Sequence, residues 1–426
     1  MNSMILKEGI RLNAFEETRF KSEYLSLNLL CPSELIKVGA SALLPSVISQ
    51  ANARYPDSVR LNRALEEAYN TSFACRMFRI GDTRIQPFAV SWLSDRYVPD
   101  GFGTEEFALG FLRDCLLEPK LENGVFPVGE LQNQIRNRID DLNAEKNNKQ
   151  RYAIKQCVRL MCEGDPFSIP LGGSEKELQN TSARDLYDYY RTILEKAPIE
   201  IYYFGRKNGE QIGEEIVKRF SPLFTEKGCV PPDVPAQKRG DIVHKTESAL
   251  AQQSVLCLGY KTEITLCHPL HAAQVVMKEI LSDSPVSLLF TEVREKESLC
   301  YYCSSLSETG KGLFIISAGV DRKNAKRAKQ AILEQIERLK RGEFSDDLLY
   351  LAKKALINSY KDLYDSPAYL EAWYLRRRLA GREDAPLDMA KRVEAVTKEM
   401  IVACAEALML DTVFLLDGRK GGPSHE

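Results

Sequence analysis

The stretch Val293-Arg294-Glu295-Lys296-Glu297-Ser298-Leu299-Cys300-Tyr301 changes character half-way. Charged residues run up to Glu297, and a β-favouring run, Cys300-Tyr301-Tyr302-Cys303, follows, so Arg294 closes a helix and Tyr301 opens a strand. A guanidinium and a phenol that converge on one spot can donate several hydrogen bonds to a carbonyl, or to the oxyanion that develops when it is attacked. The plainer reading is a solvated helix end followed by ordinary strand material, and on these residues alone it prevails.

The same alternation continues on both sides. Upstream, residues 254–260 read as a strand and residues 270–281 and 285–295 as helices. Downstream, residues 312–320 read as a strand, then a helix spaces Ala325, Ala328, Ile332, Ile336 and Leu339 at i+3/i+4. Ser345 with Asp346 and Asp347 starts another helix, and a helix over 397–408 precedes a strand over 412–416. The first half runs in a similar order. Strands are predicted at 10–15, 24–30, 72–80, 84–93 and 199–204, and helices at 35–51, 58–68, 104–117, 128–162, 183–194 and 213–220. Residues 226–241, where Pro231, Pro232 and Pro235 sit among glycines and charges, form a linker. The expected layout is therefore a duplicated α+β unit, with domains at 1–225 and 242–426, each a sheet with helices packed on it.

Composition narrows the partners. The 426 residues suffice for two or three domains. With 58 basic and 60 acidic residues the formal charge is −2, so no global field favours nucleic acid or an anionic membrane. No apolar run is long enough for a membrane span, and residues 1–13 lack the apolar core of a secretory signal, which predicts a cytoplasmic protein. The 11 cysteines are odd in number and scattered, and read as reduced, mostly buried thiols.

Candidate clusters are few. The only histidines are His244, His268, His271 and His425, so the first 243 residues have no imidazole for a metal, a nucleophile or a proton relay. Cys300 and Cys303 have redox-pair spacing, but in a strand residues three apart face opposite sides, which argues against a dithiol. Cys267, His268 and His271 could be metal ligands, although Pro269 suits a helix start and nothing completes the set. Gly172-Gly173-Ser174 lacks the lysine of a phosphate loop. Residues 136–151 read as a solvated helix face.

Taken together, the order of segments resembles the inverzincin metallopeptidases of the pitrilysin and insulinase type, which include the mitochondrial processing peptidase. The residues that carry the resemblance are Arg294 to Tyr301, similar to the family's R-E-K-x-G-L-x-Y except for Ser298 in place of glycine. Asp165-Pro166-Phe167 with Leu171-Gly172 is similar to its H-P-[YF] and glycine-bearing turn, and Ala395 to Met400 to its late V-T-x-E-[DM] helix start. The resemblance implies a clamshell of two homologous α+β domains, each a mainly antiparallel sheet with helices packed on it. It also lays the zinc motif H-x-x-E-H onto Ala42-Leu43-Leu44-Pro45-Ser46, with Arg54-Tyr55-Pro56 downstream. In that motif two histidines a helical turn apart bind zinc and a glutamate activates water. Ala42 has no lone pair, Pro45 cannot act as a base and Ser46 is a poor zinc ligand. The third-ligand position falls at Asp141, with slippage to Glu145 open, and a lone carboxylate does not rebuild the site.

The implied protein is a non-catalytic, half-length subunit of a two-chain zinc metalloendopeptidase. It would bind no cofactor itself. A homologous partner subunit bearing H-x-x-E-H would supply the zinc, while Arg294 and Tyr301 would hold the carbonyl of an extended peptide substrate. The alternative is a structural, assembly or peptide-binding protein that kept the fold and lost the chemistry.

Overall fold

Leu25, Leu27 and Leu29 alternate with Ser26 and Asn28 along strand β3 (Ser22–Cys31), and the period-two pattern sends the leucines into one core. In the computed structural model, which describes residues 2–99, 101–237 and 239–419, β3 is central to a seven-stranded sheet. Its companions are β1 (Asn2–Lys7), β2 (Ile10–Glu16), β4 (Ser72–Cys75), β5 (Phe78–Ile80), β6 (Thr83–Leu93) and β7 (Ile199–Gly205). The order is β1-β2-β7-β3-β6-β4, with β5 also on β6. Only β2 and β7 run parallel. The helices Val38–Ile48 and Ala183–Lys196 pack leucine, valine and tyrosine side chains against the leucine face. Gly39 is required by that packing, since a Cβ there would lie 2.2 Å from Thr181 Oγ1.

The second sheet has five strands, β8 (Val243–Leu250), β9 (Ser254–Lys261), β10 (Cys300–Glu308), β11 (Leu313–Val320) and β12 (Met409–Arg419), in the order β10-β11-β9-β12-β8. Again a single pair, β12 with β8, is parallel and the rest antiparallel. Reading β2-β7-β3-β6 against β8-β12-β9-β11 gives the same neighbours and directions, so the expected α+β duplication is present at the level of topology. Two strands escaped the sequence pattern. β1 and β8 are sheet edges whose residues are mostly exposed or half-exposed, so neither shows a buried apolar stripe.

The chain forms two compact units, Met1–Leu142 with Pro170–Pro231, and Asn143–Ile169 with Pro232–Glu426. The helix predicted over 128–162 is in fact two, Val128–Glu145 and Lys149–Met161, and the side chain of Asn148 caps the second by accepting from Arg151 N. Lys149–Met161 belongs to the second unit because that sheet has two apolar faces. Along β9, Leu256, Leu258 and Tyr260 enter one core, while Val255 and Cys257 enter another with Ala153, Cys157 and Met161 of the helix. Lys311, 1% exposed, ties the excursion down through Asp165 Oδ2 at 2.9 Å. Residues 232–237 of the predicted linker also lie on this sheet, with Ala236 in its core and Ala236 N donating to Lys311 O.

At the crossing of helix and strand a side chain is missing. A Cβ on Gly259 would stand 2.4 Å from Met161 Sδ and 3.0 Å from Cys157 Sγ. Gly259→Ala should therefore cost ~1–3 kcal/mol by overpacking, and Met161→Ala ~2–5 kcal/mol by leaving a cavity. In calorimetric unfolding the double variant should fall short of the sum by ~1 kcal/mol or more, because each change relieves the other. Strict additivity would show that Met161 is not what glycine accommodates.

Candidate functional site

Phe290 and Arg294 lie one turn apart on the wide helical segment Leu289–Lys296, and the guanidinium sits 4.7 Å over the phenyl ring. Arg294 Nε is 3.5 Å from Glu295 Oε1, and its side chain remains 42% exposed. Tyr301 is 51% exposed, and its hydroxyl donates to Asp321 Oδ1 at 3.1 Å. That hydrogen bond to a carboxylate raises the phenol pKa and keeps it a donor. The two candidate donors thus both reach solvent, each with its own partner. Phe290 was legible as an i−4 neighbour of Arg294. Asp321 was not, because it comes to Tyr301 only through the pairing of β10 with β11.

The turn joining helix to strand is unusual for its residue. Glu297 N donates to Glu292 O and Leu299 N to Val293 O, both at 3.1 Å, and Ser298 between them has φ +52°. This is the left-handed conformation that glycine adopts freely and other L-residues resist, and it falls where the resemblance has glycine. Ser298 recovers only a long contact to Glu295 O, 3.4 Å. Ser298→Gly should raise stability by about 1 kcal/mol, read as a higher midpoint in denaturant unfolding. A lower midpoint would show that the hydroxyl contact outweighs the backbone strain.

The strand start corrects one expectation. Cys300 pairs with Val320 and Tyr302 with Gly319, so Tyr301 is the extra residue of a β-bulge. The bulge breaks the alternation on which opposite faces were expected. Cys300 and Cys303 instead share a face against the second unit's helical core. The closeness of the two thiols, with the charge of Arg294 beside Cys300, lowers the pKa of Cys300 and raises that of Cys303. Gly319 was the available signal, since a Cβ there would lie 2.4 Å from the Tyr302 ring.

Ala42, Pro45 and Ser46, onto which the resemblance lays the zinc motif, lie on Val38–Ile48, a helix with no titratable side chain. Ala42 packs against the core, Pro45 stands inside the helix, and Ser46 Oγ turns back to donate to Leu43 O at 2.9 Å. Asp141 is exposed and 3.8 Å from Arg138 Nη1. Glu145, the slipped alternative, pairs with Lys155. The donor set therefore does not fit zinc, whose sites need nitrogen, sulfur or carboxylate ligands converging on one point. Among the described residues no group of three His, Cys, Asp or Glu side chains could hold a metal ion.

The other clusters separate. Cys267 Sγ donates to Ala380 O and His268 Nδ1 accepts from Leu270 N, while His271 is buried. His425 lies outside the described residues. Asp165 caps a short helical turn by accepting from Phe167 N, and Gly172-Gly173-Ser174 leads into a capping box closed by Glu177. Among the described residues no helix is long and apolar enough to cross a membrane.

Known proteins fit this geometry. Residues 180–356 match the model of the peptidase M16 inactive domain. The chain is 27% identical over 416 residues to the probable inactive metalloprotease YmfF of Bacillus subtilis (strain 168), covering 97% of each. Among solved structures it is similar to a conserved protein from Enterococcus faecalis V583, with TM-score 0.91, 26% identity and 99% of each chain covered. The fold is also that of a peptidase M16 inactive domain from Pseudomonas fluorescens, with TM-score 0.79, 18% identity and 99% of each chain covered. A protease from Helicobacter pylori shares it at TM-score 0.78 and 14% identity, over 98% of this chain and 99% of that one. Over residues 180–356 the chain is thus similar to the peptidase M16 inactive domain, and over nearly its whole length to a probable inactive metalloprotease.

Proposed function

We propose that this chain is the zinc-less subunit of a two-chain metalloendopeptidase, acting in the cytoplasm with a homologous half-length partner that carries H-x-x-E-H. The observation that carries the reading is an asymmetry within one chain. The motif helix Val38–Ile48 has no group able to bind metal or move a proton, while Arg294 and Tyr301 remain available to solvent as hydrogen-bond donors. The partner's zinc would supply the activated water. On this chain, Arg294 and Tyr301 would donate to the carbonyl oxygen of the scissile peptide, and more strongly as that oxygen becomes anionic. Tyr301 would first release Asp321, exchanging one acceptor for another. An extended peptide would pair with a sheet edge, a mode that tolerates varied sequences.

A second reading, an inert assembly or peptide-binding protein with the same fold, is favoured by the internal partners that both donors already have. The test is to purify the chain with its partner from the native cell and follow peptide cleavage. Arg294→Ala and Tyr301→Phe should each lower turnover by ~10²- to 10³-fold. Unchanged turnover in both would remove their role, and stoichiometric zinc with peptidase activity in the isolated chain would overturn the two-subunit reading.

A further inference from the structure

The sheet edges are not alike. β1 has a register shift between Ile5 and Lys7, β4 and β5 are four and three residues long, and β10 is bulged at Tyr301. Shortness and bulges are common means by which a sheet stops a further strand from adding to it. β8 uses neither. Val243–Leu250 is eight residues long, contains no proline and pairs residue for residue with β12 from Thr412 to Arg419. Its other side pairs with no strand among the described residues.

The same strand carries side chains that its own chain leaves unused. Ile242, just before it, is 44% exposed, and Leu250, at its end, is 78% exposed. Thr246 lies midway between them and in phase with both, since strand residues alternate between faces. On the other face, Lys245 is exposed and makes no ion pair among the described residues. Glu247, two residues on, is half-buried and accepts a hydrogen bond from Tyr152 at 2.5 Å.

These positions are self-complementary. With a second copy antiparallel along β8 and Thr246 opposite Thr246, each Lys245 faces a Glu247 and each Ile242 faces a Leu250. Two ion pairs and two apolar pairs then flank a threonine pair, and directly opposed pairs of these kinds stabilise a sheet. The neighbouring registers that keep the same faces are worse. Centred on Lys245 the two lysines oppose each other, and centred on Glu247 the two glutamates do, which is destabilising. The residues of β8 therefore select one register.

We propose that β8 is a homodimer interface, where two copies of this chain join edge to edge about a two-fold axis at Thr246 and their five-stranded sheets become one. The same patch serves on both copies, so the contact closes on itself and does not propagate. β10, which carries Tyr301, is the opposite edge of the sheet, so the interface is separate from the Arg294–Tyr301 segment.

Analytical ultracentrifugation of the full chain tests the assignment. The wild type should pass from monomer to dimer as its concentration rises. Lys245→Glu, which sets two carboxylates against each other in both ion pairs, should weaken dimerisation by about tenfold or more. Combining Lys245→Glu with Glu247→Lys restores opposite charges and should bring the affinity back to within severalfold of wild type. Glu247 also holds Tyr152, so thermal unfolding must show that the exchanged variant is folded. Should it fail to fold, Leu250→Asp, at an exposed position, supplies the second test and should weaken dimerisation by about tenfold. A wild type that stays monomeric, single variants that dimerise as the wild type does, or a folded exchanged variant as weak as Lys245→Glu would overturn the proposal.

Discussion

The second unit depends on a helix that the chain supplies far from the rest of it. A five-stranded sheet whose central strand is buried on both sides needs two covers, and its own C-terminal helices provide one. The other is Lys149–Met161, set against Val255, Cys257, Leu313 and Ile315 at a distance that only glycine at 259 permits. This constraint breaks the long helix at Asn148 and returns the chain to the first unit at Pro170. The Lys311–Asp165 pair is a consequence of the same docking. Lys311 loses its water as the excursion closes over it, and the carboxylate of the excursion replaces that solvation.

A second, local constraint shapes the candidate site. The helix ends wide, Ser298 takes a left-handed turn, and Tyr301 occupies a bulge, all within a few residues. A regular strand would have turned Tyr301 toward one face of the sheet in strict alternation. The bulge leaves it exposed beside Asp321, and also brings Cys300 and Cys303 onto one face, in contact. Irregular backbone of this kind re-aims side chains at functional positions. The helix Val38–Ile48 has no titratable side chain, which is why the Arg294–Tyr301 segment, rather than that helix, carries the functional proposal.

Much of this was readable without coordinates. Long periodic helices and strands such as β3, β6 and β9 were apparent because burial on a fixed face imposes a period on the residues themselves. That Ala42, Pro45 and Ser46 offer no zinc ligand was also legible, since it is a matter of residue type. Edge strands β1 and β8 were not, because an exposed strand has no buried stripe to reveal it. The burial of Gln274 was hidden for a related reason. Its helix spacing matches that of a core stripe, but nothing along the chain says that Gln274 ends up 1% exposed with both amide atoms unpartnered.

The amino-acid sequence by itself determined the α+β repeat, the absence of a metal-binding set in the motif helix, and the presence of Arg294 and Tyr301, all of which follow from residue chemistry and local periodicity. Only the tertiary structure decided which sheet claims Lys149–Met161, which carboxylate meets Tyr301, and that Cys300 and Cys303 share a face. Those outcomes depend on strand register and on close approach between segments distant in sequence. Register is set by the packing of the whole sheet, so a single bulge can reverse what local alternation implies.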